Sequence, residues 1–292
     1  MEFLDNNPFV LDLLMSISYV VEAILVFAIG KFLYQLLNSK IKINEELVIK
    51  DNLAFSFTYV CYFVSLLIVI GASIIGESTG WVDDLLIIAY YSLIGVVLLN
   101  ISVWINNKVI LTKFNIKKEI IEDQNVGTGV IEGAILISTA LILYGAITGE
   151  STGLIEGTIT AVVYWVLGLV IMIITSKLYS AVVGYDVHDE IEKDNVAAGV
   201  AFAGAILAIS IIVMNALLGE FEDWKTTLLD VCVQTILGLI VLPIMRVVAD
   251  KILLPGQRLT DEIVNQEKPN VGAGLVEAFA YVGSAILIAW SI

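Results

Sequence analysis

Two glutamates lie in runs of sequence that are otherwise almost wholly apolar. Glu132 and Glu277 each follow an asparagine by seven residues, inside passages that match closely: Asn125-Val126-Gly127-Thr128-Gly129-Val130-Ile131-Glu132-Gly133 and Asn270-Val271-Gly272-Ala273-Gly274-Leu275-Val276-Glu277-Ala278. A helix opening at each asparagine carries its glutamate about 10 Å along the axis, at 1.5 Å per residue. An ionisable side chain at such depth in a membrane costs roughly 3 kcal/mol and is a functional site by default. Glu22, nine residues before Lys31, is expected at a similar depth, about 13 Å from the same boundary. The sequence offers no buried Lys, Arg or His to neutralise these three acids, and Arg246 is expected to snorkel from a helix end. Each acid is therefore expected to be protonated or to hold a cation, since an unpaired charge out of water is costly. The competing reading is that a neutral Glu binds neighbouring helices together as polar glue.

Other residue types point to structure. Gly129 and Gly133, Gly199 and Ala203, and Gly274 and Ala278 are small residues four apart, the spacing that lets helix backbones approach closely. Asn52, Asn125, Asn195 and Asn270 read as N-caps, whose side chains accept from the first free backbone N–H groups. Gly76-Glu77-Ser78-Thr79-Gly80 recurs as Gly149-Glu150-Ser151-Thr152-Gly153, with a degenerate third copy at Gly219-Glu220; no base accompanies the hydroxyls, so these read as turns. His188, the single histidine, sits among loop acids and reads as solvated. Cys61 and Cys232 lie in apolar runs and suggest neither a disulfide nor a thiolate site. No catalytic motif, metal site or cofactor site is expected, and the chain does not read as an enzyme.

The elements that position these residues follow from composition. Of 292 residues, 59% are hydrophobic and 15% charged, which excludes a soluble domain. Thirty acids against 15 bases give a net charge of −15 and exclude a nucleic-acid partner. Apolar stretches long enough to cross a bilayer number eight, four of them only if one acid is admitted to each. The asparagines recur at intervals of 73, 70 and 75 residues. The expected architecture is all-α and polytopic: eight transmembrane helices built as four parallel two-helix repeats, paired into two four-helix blocks, Leu11 to Gly149 and Leu154 to Ile292. Fourteen of the 15 bases fall after the odd-numbered spans, leaving only Lys225 on the other side. The positive-inside rule then places both termini outside. By the same division, the outer segments carry most of the net charge as an acidic rim, and Trp81, Trp104, Trp224 and Trp290 fall at span ends as an interfacial belt.

The acidic-Asn-Val-Ala/Gly-x-Gly pattern at a helix start, best seen in Asp194-Asn195-Val196-Ala197-Ala198-Gly199, resembles the domain of unknown function 350, found in YjfL-like bacterial inner-membrane proteins. The resemblance covers nearly the whole chain as two fused copies; Asn52-Leu53-Ala54-Phe55-Ser56 departs from it in lacking the glycine. It implies a prokaryotic inner-membrane location, brings no catalytic residues, and hints at membrane stress. Two functions compete. One is a channel or ion-coupled transporter for protons or cations using the buried glutamates. The other is a non-catalytic membrane scaffold that assembles with copies of itself or recruits a cytoplasmic protein.

Overall fold

Backbone groups in hydrocarbon must satisfy one another, and continuous apolar segments of this length do so within themselves, as helices. The computed structural model describes residues 8–76, 78–148, 153–218, 223–254 and 256–292, and among these every regular element is helical. The long helices are α1 (Pro8–Leu37), α2 (Leu53–Ile74), α3 (Trp81–Val109), α5 (Val126–Thr148), α6 (Leu154–Val182), α8 (Val196–Leu217), α9 (Trp224–Val248) and α11 (Val271–Ser291). All eight are long and apolar enough to span a membrane. Three six-residue helices, α4 (Ile116–Ile121), α7 (Val187–Glu192) and α10 (Leu259–Val264), precede α5, α8 and α11; a π-helical turn (Glu45–Ile49) holds the same place before α2.

The helices form two layers. In one, α2, α5, α8 and α11 stand in a row, each packed closely on the next. In the other, α3 touches α2 and α5, α6 touches α5 and α8, and α9 touches α8 and α11, so each sits over a groove of the row; α1 lies against α2 and α3. Burial follows: 78% of the most apolar window of α8 is inside the protein, against 11% for α1.

Small residues make the row possible. A methyl at Gly129 would stand 2.7 Å from the carbonyl oxygen of Ala54, and one at Gly199 would stand 2.6 Å from that of Gly127. Gly133 abuts Cys61 and Phe57, Gly274 abuts Ala197, and Gly204 abuts the backbone of Ala278. At the two ends of the row the corresponding places are bulky and exposed. Val60 (58% exposed) stands where the other three helices carry Gly133, Ala203 and Ala278, and Phe279 (67% exposed) where the other three carry Cys61, Ala134 and Gly204. Interior faces thus admit backbone contact while the end faces present side chains suited to lipid.

Candidate functional site

Each helix of the row starts from the same joint. Asn52, Asn125, Asn195 and Asn270 accept through Oδ1 from the backbone N–H three residues on, at 2.8–3.2 Å. Their Nδ2 groups donate to a glutamate of the preceding turn or short helix: Glu46, Glu119, Glu190 and Glu262, at 2.9–3.0 Å. The first three donate a second time, to a carbonyl next along the row: Asn52 to Ile120, Asn125 to Ile191 and Asn195 to Ile263, at 2.7–2.8 Å. These three are almost wholly buried, whereas Asn270, at the end of the row, is exposed. The residues before them, Asp51, Gln124 and Asp194, hold φ of 50°, 53° and 58°, left-handed values unusual for non-glycine residues. Burial raises the Glu46 carboxyl, but the hydrogen bonds from Lys50 and Asn52 outweigh it and hold the group below its usual range. The four glutamates are absent from the sequence reading; their signal is an acid five to eight residues before each asparagine.

Glu132 and Glu277 occupy the same register of α5 and α11 and meet different surroundings. Glu277 is fully buried, and its Oε1 accepts from Arg246 Nε at 3.0 Å and from the Tyr281 hydroxyl at 2.7 Å, with the Tyr179 hydroxyl at 3.4 Å, while its Oε2 has no hydrogen-bond partner among the described residues. Arg246 also donates to Thr260. This corrects two expectations: a base does pair one of the buried acids, and Arg246 turns inward, its side chain only 15% exposed, instead of snorkelling. The attraction of a desolvated carboxylate outweighs the pull of the interface at that position.

Among the described residues, no base pairs with Glu132. Asn107 Nδ2 donates to its Oε1 at 3.1 Å, and both Glu132 Oε2 and Asn107 Oδ1 are buried without a hydrogen-bond partner. Beside them lies a cavity of about 570 Å³, walled by α1, α2, α3 and α5 and reaching the asparagine end of the bundle at α4. The sequence explains the space. Trp81 and Trp224, then Gly95 and Gly238, align α3 with α9 and set Val103 at the place of Arg246; Leu136 stands at the place of Tyr281. Both Val103 and Leu136 line the cavity.

Glu22 is half-buried on α1 with Oε2 unpartnered, and does not line the Glu132 cavity. His188 is not simply solvated: its Nε2 lies 2.7 Å from the Ile110 carbonyl, beside the pairing of Lys113 with Asp186 and Asp189. That lysine's hydrogen bond holds the Asp186 carboxyl below its usual range. At the opposite end, a hollow of about 600 Å³ contains Asp84. Both of its oxygens are engaged, by Tyr19, Ser78 and Thr79. Of the repeated turn motif, Glu77, residues 149–152, Gly219 and Glu220 lie outside the described residues.

The fold and its buried polar sites define a multi-pass membrane protein. The chain belongs to the family described as Domain of Unknown Function (DUF350), whose model matches twice, over residues 8–147 and 153–292. It is similar to a UPF0719 transmembrane protein of Aquifex aeolicus (strain VF5), 26% identical over 251 residues, spanning 84% of this chain and 88% of the relative. No solved structure matches it.

Proposed function

We propose that this protein passes protons or other cations across a prokaryotic inner membrane, as a channel or ion-coupled transporter, with Glu132 as the working site and both termini outside. In this reading four parallel two-helix repeats in two blocks supply the frame, the asparagine end faces the cytoplasm, and no catalysis is involved. The observation that carries it is the buried, unpartnered Glu132 Oε2 facing a cavity of about 570 Å³. Glu277, neutralised by Arg246, is assigned to holding α9 and α11 together.

The test is flux in liposomes under an imposed ion gradient. Wild-type protein should dissipate the gradient, Glu132→Gln should reduce this to background without changing helix content, and Glu277→Gln should alter stability more than flux. Background flux in wild-type protein would sink the proposal. That outcome would favour the second reading, a membrane scaffold that assembles with itself or with a cytoplasmic partner, which draws support from the Arg246–Glu277 pair and the asparagine joints as pure fastening.

A further inference from the structure

The Glu132 cavity is bipolar. At its inner end Glu132 Oε2 and Asn107 Oδ1 are two acceptors without donors. Two adjacent orphan acceptors call for a group rich in N–H donors, and an ammonium supplies three. A bare divalent ion is a poor fit, since it takes about six or more oxygens, and among the described residues no three His, Cys, Asp or Glu side chains stand together. The space also exceeds a single ion, lying instead within the roughly 300–1,000 Å³ of small-molecule pockets.

At the mouth the charge reverses. Lys108, in the last turn of α3, and Lys117, in α4, both line the cavity and are exposed. Neither is in an ion pair among the described residues, whereas Lys50, Lys113, Lys118 and Lys193 each are. Lys108 rests over the Trp104 ring, 3.8 Å from its centre. Between the two ends the walls are largely apolar and aromatic, including Tyr34, Phe55 and Phe114.

We infer that this cavity binds a small zwitterion, its primary ammonium end held by Glu132 and Asn107 and its carboxylate or phosphate end held by Lys108 and Lys117. The inference rests on Glu132 being the working site, and it names the substrate class of that site. An arriving ammonium would occupy the acceptors that a proton otherwise needs, which couples substrate to proton by competition for one carboxylate. The same chemistry belongs to a free solute and to an ethanolamine phospholipid headgroup.

Equilibrium binding separates these. For the free arm, L-leucine and O-phosphoethanolamine are titrated into purified wild-type protein in detergent, beside ethanolamine, inorganic phosphate and phosphocholine, which each lack one end or the N–H donors. For the lipid arm, retention of phosphatidylethanolamine against phosphatidylcholine is read by native mass spectrometry. A primary-ammonium zwitterion should bind at least about tenfold tighter than any of the three controls, the worth of one charge-assisted hydrogen bond. Selectivity in the free arm identifies a solute, and selectivity in the lipid arm alone identifies a headgroup. Glu132→Gln, and separately Lys108→Gln with Lys117→Gln, should each lose most of that preference. Equal binding of ethanolamine or of phosphate alone, or no selectivity in either arm, overturns the inference on the wild-type protein itself, whatever the variants do. Flux without zwitterion binding sinks this inference and spares ion passage; binding without flux does the reverse.

Discussion

Glu132 and Glu277 began as one sequence feature and are two physical objects. The passages around them agree nearly residue for residue, so the difference comes from what faces them: Val103 and Leu136 beside one, Arg246 and Tyr281 beside the other. Each acid keeps one unpartnered oxygen; the second site is an ion pair through the other oxygen, and the first has a cavity in place of the base. Divergence at facing positions of the two copies therefore gives a paired acid in one and an acid beside a cavity in the other. Breaking the pair should cost far more than changing the open acid. Arg246→Leu leaves Glu277 buried without its counter-charge and should destabilise the protein by about 3–5 kcal/mol. Adding Glu277→Leu should recover most of that loss, because a buried pair is replaceable by apolar packing. Glu132→Leu should cost less, about 1–2 kcal/mol, since it removes an unpartnered oxygen but leaves Asn107 Nδ2 without its acceptor. Unfolding in mixed micelles measures all three; an equal cost at 132 and 246 would mean that the two sites are alike after all.

The row of helices offers the same contrast in packing. Gly204 sits against the backbone of Ala278, where no side chain can move aside, while Gly272 at the open end meets only its own Asn270 side chain. Gly204→Val should cost about 3 kcal/mol by overpacking, and Gly272→Ala close to nothing, in the same unfolding assay. A third test concerns the joints. Asn125→Ala removes a cap and deprives both Glu119 and the Ile191 carbonyl of a donor, so a loss of about 2 kcal/mol is expected. Asn270→Ala removes a cap that is exposed and lacks the second link, and should cost about half as much.

Much of the frame was legible because hydrocarbon imposes it. Eight apolar runs must be eight helices, and regular asparagines announce a repeated start. The place of Glu132 and Glu277 two turns into their helices followed from the spacing to the asparagines alone. Their partners did not, because Asn107 and Arg246 reach them from other helices, and nothing in spacing distinguishes a base that snorkels from one that turns inward. The glutamates of the joints were hidden for a related reason: in charged loops an acid that clamps an asparagine looks the same as one that meets water. The cavity is a difference of volumes between Val103 and Arg246, visible only once α3 is set beside α5.

The smallest expected effect distinguishes the joint of α2 from those of α5 and α11, where no lysine binds the glutamate among the described residues. Glu46 there is bonded to Lys50 at 2.7 Å as well as to Asn52, whereas Glu262 has only the neutral Gln266 as its second donor and Glu119 has none among the described bonds. Although burial raises this carboxyl, the two hydrogen bonds prevail, and it lies below its ordinary 4.5. A group depressed on folding adds stability that is fully present above its unfolded value and is lost as pH falls through its folded one. The joint should therefore hold unchanged from neutral pH to about 4.5 and loosen below it. Amide exchange at Phe55, whose N–H is capped by Asn52, reads this locally. Glu46→Gln keeps an acceptor for Asn52 and discards the charge, so exchange at Phe55 should be slightly faster at neutral pH and flat from pH 6 to 3. An acid-sensitive Phe55 amide in that variant would assign the loosening to a different carboxyl, and the distinction between this joint and those of α5 and α11 would fall with it.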